Sequence, residues 1–217
     1  ERNRLRANVE VIDELLNVVA SSVGSLSNPS RLSNTFQSVK GLKIKNETIS
    51  SYLDCFIDAY ILSKAYRYDI KGRSYIDTPL KYYFTDIGLR NARLNFRQQE
   101  ENHIMENILY NELIARDFNI DVGVVEYNHL DENGKKVRSQ LEVDFVVNKT
   151  DKRYYIQSAL TVANEEKRKQ ETNSLNRIDD SYTKIVIVRD NILPWIDDKG
   201  VQYINIEDFL LKRINVL

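Results

Sequence analysis

The spacing of apolar residues changes partway along the chain, and that change constrains the fold more than any single motif. Val9, Ile12, Leu15, Leu16 and Val19 recur at helical spacing, which predicts an amphipathic helix over 8–22. Asn28-Pro29 reads as an N-cap followed by proline at the first helical position, starting a short helix through Leu32 and Phe36 with Gly41 in the turn after it. A third helix over 46–62 places Ile49, Leu53, Phe56, Ile57 and Tyr60 on one face. The run 63–68, a turn at Lys71-Gly72-Arg73 and a strand near 82–84 suit an exposed hairpin.

Strand patterns dominate the second half. After a helix over 102–117 (Met105, Ile108, Leu109 and Leu113 on one face), strands are predicted at 122–127, 141–147 and 154–160. Asn133-Gly134 marks a hairpin turn between the first two. Asn164 caps a polar helix over 165–178. The nearly continuous apolar run 184–188 reads as a buried strand, followed by a strand at 201–206 and a helix at 207–213. The order α-β-β-β-α-β-β-α predicts a mixed sheet flanked by helices.

Composition removes several function classes. The 31 Lys and Arg nearly balance 32 Asp and Glu, so the chain is no uniformly basic nucleic-acid coat. A single cysteine, Cys55, excludes an internal disulfide framework and a cysteine-rich zinc site, and two histidines, His103 and His129, argue against a histidine-based metal site. Only 7 glycines are present and no phosphate-binding glycine loop occurs. No apolar run reaches 18 residues and no leader is recognisable, which predicts a soluble, cytoplasmic chain without a membrane partner. It starts at Glu1 and its one methionine is Met105, suggesting a piece of a longer protein.

Charge is partitioned. Residues 1–90 carry 13 Lys and Arg against 10 Asp and Glu, whereas residues 91–217 carry 18 against 22. The polar stretch 91–101 lies at the change, placing one domain at 1–92 and a second at 100–217. Helix, helix, turn, helix, ribbon is the order of a winged helix-turn-helix, whose third helix can enter a major groove while the wing touches backbone. Lys43, Lys45, Arg67, Lys71 and Arg73 are the candidate nucleic-acid contacts, joined by Lys40 and Lys64; Asp54 and Asp58 on the third helix oppose that use. Docking to another protein is the competing use of such a module.

The segment Leu141-Glu142-Val143-Asp144-Phe145-Val146-Val147 is the most informative. Alternation puts Val143, Phe145 and Val147 on one face and the carboxylates of Glu142 and Asp144 on the other, a pair that repels unless a cation or basic group lies between. Gln157 and Ala159 share a face of the next strand, in register to lie beside the carboxylates, and the preceding helix carries Glu106. Glu112 competes with Glu106 for a buried position. Glu142 reads equally well as a surface carboxylate, His103 and His129 as surface residues, Cys55 as core, and Trp195 as the cover of a loop.

A helix with Glu, then a strand with Val-Asp-Phe, then a strand at the position of Glu-x-Lys resembles the PD-(D/E)XK nuclease-like superfamily. The whole chain resembles the C-terminal region of prokaryotic AAA-type ATPases, in which a P-loop module precedes a domain of unknown function. The matching segments are Tyr82-Tyr83-Phe84-Thr85-Asp86-Ile87-Gly88-Leu89, Met105-Glu106-Asn107 with Tyr110-Asn111-Glu112-Leu113, Glu142-Val143-Asp144-Phe145 and Tyr155-Ile156-Gln157. The resemblance implies an α+β chain, a winged helix-turn-helix followed by a restriction-endonuclease-like mixed-sheet domain flanked by helices. It also implies a site in which acidic side chains hold Mg²⁺, with Glu106 as the helix acid and Asp144 as the strand acid. Gln157 stands where the second acid belongs and Ala159 where the lysine belongs. Losing positioned groups of this kind reduces rate by roughly 10²–10⁴ each.

The expected function is therefore non-catalytic: a nucleic-acid-binding or partner-docking appendage of an AAA-type ATP-binding protein. ATP and the ATPase module belong to sequence outside this chain, and Mg²⁺ binds weakly if at all. The enzyme alternative is a Mg²⁺-dependent DNA endonuclease using Glu106, Glu142, Asp144 and Gln157 as metal ligands. A third alternative is a protein-interaction module that takes no nucleic acid.

Overall fold

A computed structural model describes residues 9–98, 100–213 and 217. The chain is α+β, with helices flanking a mixed sheet. Its elements are α1 (Val9–Ser21), α2 (Pro29–Lys40), α3 (Asn46–Asp58), β1 (Leu62–Asp69), β2 (Ser74–Phe84), α4 (Ile87–Arg93), α5 (Glu101–Ala115), β3 (Asn119–Leu130), β4 (Lys136–Lys149), β5 (Lys152–Ala159), α6 (Glu165–Thr172), β6 (Thr183–Val188), β7 (Trp195–Ile196), β8 (Val201–Asn205) and α7 (Ile206–Leu210). A 3₁₀ turn, Leu175–Arg177, follows α6. The eight strands are ordered β2-β1-β3-β4-β5-β6-β8-β7. β1 runs parallel to β3, β4 is antiparallel to both β3 and β5, β5, β6 and β8 are parallel, and β7 is antiparallel to β8. No helix among the described residues is long and apolar enough to cross a membrane.

Two compact units share the chain: Glu1–Ala65 with Thr78–Asn107, and Tyr66–Asp77 with Ile108–Leu217. In the first unit, Leu15, Leu16, Val19, Leu32, Phe36, Ile49, Leu53 and Phe56 from α1, α2 and α3 form one core with Leu62, Tyr82 and Phe84. The helix ends follow local chemistry. The Asn28 side chain accepts the Arg31 N–H at 2.7 Å, and Gly41 closes α2 at φ +68 while its own N–H donates to Gln37. α4 is gripped to α1 by arginines. Fully buried Arg90 donates from Nε to the Ala20 carbonyl and from Nη1 to the Gln98 carbonyl, and Arg93 pairs with Asp13 at 2.8 Å.

Two expectations from the sequence change here. The third helix stops at Asp58 rather than reaching residue 62. Tyr60 takes φ +56, the Thr85 hydroxyl donates to its carbonyl, and Leu62, which fits the helical spacing, opens β1 instead. The ribbon that follows is also no free hairpin. In the second unit Arg67, Tyr68 and Asp69 pair in parallel with Val122, Gly123 and Val124, so β1 has a neighbour on both sides.

The core of the second unit joins Val125, Val143, Val146, Tyr155, Ala159, Val186, Val188 and Tyr203 with Leu175 and Ile178. Gly123 is closely packed beside this core. A Cβ there would stand 2.8 Å from Val143 Cβ and 2.9 Å from both Ile70 Cδ1 and Val146 Cγ2. Gly123→Ala should therefore destabilise the fold by about 1–3 kcal/mol. The measurement is a urea melt, where the midpoint should fall at constant slope; an unchanged midpoint would mean that the strands part without strain.

Candidate functional site

The nuclease-like positions fall on the two units and are described in each. In the first unit the quoted motifs touch one another. β2 carries Lys81 and Tyr83 to Glu106 of α5, where the Lys81 ammonium and the Tyr83 hydroxyl both donate to Glu106 Oε1, at 2.8 and 2.6 Å. Beside them the Asn107 amide clamps the Phe84 backbone, accepting its N–H at 2.8 Å and donating to its carbonyl at 2.7 Å. Glu106 is 7% exposed. Glu112, its competitor, is half-buried and pairs with Arg116 one turn on at 2.7 Å. The buried acid of α5 is thus Glu106, and its charge is met by a buried lysine.

In the second unit Asp144 sits at a defect in two ladders. Asp121 pairs with Val146 and Gly123 with Val143, so Asp144 and Phe145 together oppose one residue, a β-bulge. The β4–β5 ladder runs from Lys149–Lys152 only as far as Phe145–Ile156. Beyond it β4 stays with β3 and β5 stays with β6. Side chains replace the ladder at this split. The Ser158 N–H donates to Asp144 Oδ2 at 2.8 Å, and the Asp144 N–H donates to Gln157 Oε1 at 3.4 Å. Ala159, at 4% exposure, packs in the core with Val143, Val146 and Tyr155. A lysine at that position would bury its ammonium among apolar groups. Glu142 is half-buried opposite Val124. Among the described residues no three His, Cys, Asp or Glu side chains group so as to hold a metal ion.

The candidate basic residues separate. Lys43 and Lys45 are exposed just before α3 in the first unit, as are Asp54 and Asp58 on that helix. Arg67 is 9% exposed in the second unit and donates from Nη2 to Gln140 at 3.1 Å. Lys71 and Arg73, by contrast, reach a cleft of 520 Å³ with Arg153 of β5, lined also by Tyr68, Tyr182, Asp179 and Asp180. The turn that carries them is built by Asp69, whose Oδ1 accepts the N–H groups of Lys71 and Gly72. Arg153 lies three ladder pairs from Phe145–Ile156, and its Nε donates to Asn148 at 2.8 Å.

Tyrosines surround the cleft, and sequence reasoning did not assign them. The Arg153 guanidinium carbon lies 5.4 Å from the ring centroid of Tyr68 and 5.4 Å from that of Tyr182. The Tyr155 hydroxyl donates to Asp180 at 2.5 Å; burial first, then that carboxylate, raises it far above the ordinary phenol range. On the ribbon, Tyr75 donates its hydroxyl to Asp121 Oδ2 at 3.2 Å. Burial raises the Asp121 carboxyl above its ordinary value, against the lowering by Tyr75 and Arg153. The signal available in the sequence was the alternation Tyr66-x-Tyr68, which places both rings on the face of β1 opposite Arg67.

Two outcomes are expected. Lys81→Met leaves Glu106 buried without its cation and should cost about 3–5 kcal/mol, most of it recovered by adding Glu106→Gln; thermal melts of the single and double variants check this. Asp121 binds its proton more tightly folded than unfolded, so its charged form weakens the fold above the folded pKa, and that penalty fades as pH falls toward the ordinary carboxylate value. Asp121→Asn should therefore raise stability at neutral pH and lose the advantage near about pH 4 in urea melts.

Residues 3–100 match a family described as a domain of unknown function (DUF8612). An uncharacterized protein of Haemophilus influenzae is 32% identical over 202 residues, covering 93% of this chain and 46% of that protein. The chain spans about half the length of this curated relative. The crystal structure of protein VC1899 from Vibrio cholerae aligns with 95% of this chain and 56% of that one, at 11% identity and a TM-score of 0.31, too low to carry an argument.

Proposed function

We propose that the chain is a non-catalytic, nucleic-acid-binding appendage of an AAA-type ATP-binding protein, with a winged-helix-like N-terminal region and a degenerate nuclease-like sheet. One observation carries the proposal: the cations Lys71, Arg73 and Arg153 converge in a single cleft, away from Asp144 and Gln157, which bond backbone amides at the β4–β5 split. Phosphates would meet the cleft. Mg²⁺ affinity is weak, because Gln157 brings no charge and Ala159 belongs to the core. ATP belongs to a further module, for which the greater length of the Haemophilus influenzae relative leaves room. The exposed acids Glu47, Asp54 and Asp58 on α3 favour protein docking rather than a DNA groove for that helix, and its own ATPase module is the partner proposed there.

Titration of the 217-residue chain with labelled DNA over a range of salt concentrations tests the proposal. Replacing Lys71 and Arg73 by Ala should reduce the salt slope by roughly 0.7–0.9 for every phosphate left unpaired. Supercoiled plasmid should stay intact with Mg²⁺ or Mn²⁺. Cleavage that Asp144→Asn abolishes would promote the endonuclease instead, and absence of DNA binding at low salt would leave protein docking.

A further inference from the structure

The cleft and the ribbon beside it carry more than positive charge. Tyr66, Tyr75 and Tyr182 are 42%, 62% and 43% exposed, large aromatic surfaces that the fold does not cover. They form a connected series. Tyr66 meets Tyr75 edge-on at 6.4 Å, Tyr75 meets Tyr68 at 5.4 Å, the Arg153 guanidinium lies over both Tyr68 and Tyr182, and Tyr182 meets Tyr155 at 6.3 Å. Lys71 and Arg73 stand at the turn between the two ribbon strands and line the cleft with Tyr68 and Tyr182. Exposed aromatic rings and cations therefore occur together on the second unit.

We propose that this surface binds single-stranded nucleic acid, with bases stacking on Tyr66, Tyr75 and Tyr182 and phosphates pairing with Lys71, Arg73 and Arg153. The proposal rests on the nucleic-acid reading given above and adds the class of strand. In a duplex the base faces are stacked inside and only edges reach a protein, so exposed rings find no partner there. An unpaired strand offers a π-face at every base and a phosphate between successive bases, and this surface offers both rings and cations to meet them. The cleft volume of 520 Å³ lies within the roughly 300–1,000 Å³ of ligand pockets. The two acids in the cleft do not reverse its sign. Asp180 accepts the Tyr155 hydroxyl on one oxygen and the Tyr182 N–H on the other, so both its oxygens are already engaged by protein donors. Three cations face Asp179 and Asp180, leaving a net positive lining. Base stacking is also tolerant of sequence, so recognition should be broad.

The test is fluorescence anisotropy of a labelled 20-nucleotide thymidine oligomer, a duplex of equal length, and an acidic polypeptide as competitor, all with the complete chain. Single strand should bind more tightly than duplex. Tyr182→Ala should weaken single-strand binding about tenfold with the salt slope unchanged, the signature of missing base stacking. Tyr182→Phe, which keeps the ring, should bind as the parent does and guards against misfolding as the cause. Lys71→Ala with Arg73→Ala should instead lower the slope by about 0.7 for each phosphate of the single strand left unpaired. Equal or tighter duplex binding, or a Tyr182→Ala variant that is folded and binds unaltered, would overturn the single-strand proposal while leaving nucleic-acid binding intact. Displacement by the acidic polypeptide as readily as by the oligomer would replace the ligand with an acidic peptide. Failure to bind either nucleic acid at low salt would remove the broader reading as well.

Discussion

The second unit depends on how two strands separate without orphaning their backbone. β4 and β5 pair up to Phe145–Ile156 and then part, β4 following β3 and β5 following β6. Each N–H past the split needs an acceptor, because a buried unpaired amide costs as much as a lost hydrogen bond. Asp144 and Gln157 provide them, the carboxylate for Ser158 and the amide oxygen for Asp144 itself. The bulge at Asp144–Phe145 places both Val143 and Val146 in the apolar core, so the strand bends without losing its packing. Asp144, the strand acid singled out in the sequence, thus accepts a backbone N–H across the break in the sheet.

The first unit meets a comparable problem with charge. A carboxylate as buried as Glu106 is tolerable only with a partner, and β2 delivers Lys81 and Tyr83 to the same oxygen. Arg90 is fully buried beside the C-terminal carbonyls of α1, where a cation also suits the helix dipole. The segments 82–89 and 105–107 thus form a structural joint in the first unit, in which Tyr83 and Phe84 are bonded to Glu106 and Asn107.

Surface function separates from these joints. Arg153 pairs with Asn148 at the far end of the β4–β5 ladder, and the cleft it shares with Lys71 and Arg73 is lined by tyrosines from β1 and from the loop before β6. Asp144 stands at the split end of the β4–β5 ladder and Arg153 toward its other end, so a change at one need not disturb the other.

Local chemistry made much of the fold legible. Asn28-Pro29 and Gly41 bound α2, Asn164 caps α6, and the run 184–188 is β6, because caps and short apolar runs act on their own neighbours. Asp144 stood out for the same reason, as an acid between buried residues of one strand. The sequence by itself thus determined most of the helices and strands and marked Asp144 as a buried acid, but not α4, β7 or the equally buried Asp121. Tertiary structure decided the rest. Whether 62–69 is a free wing or an inner strand depends on pairing with β3, more than fifty residues away, and that pairing also sends Arg67 inward and Tyr66 and Tyr68 to the opposite face. The cleft joins residues 68–73, 153 and 178–182, which only the strand order brings together. Register is set by non-local burial, and a shift of one residue would exchange the faces of every side chain on the strand, so the local alternation groups Tyr66 with Tyr68 but does not say which face is buried.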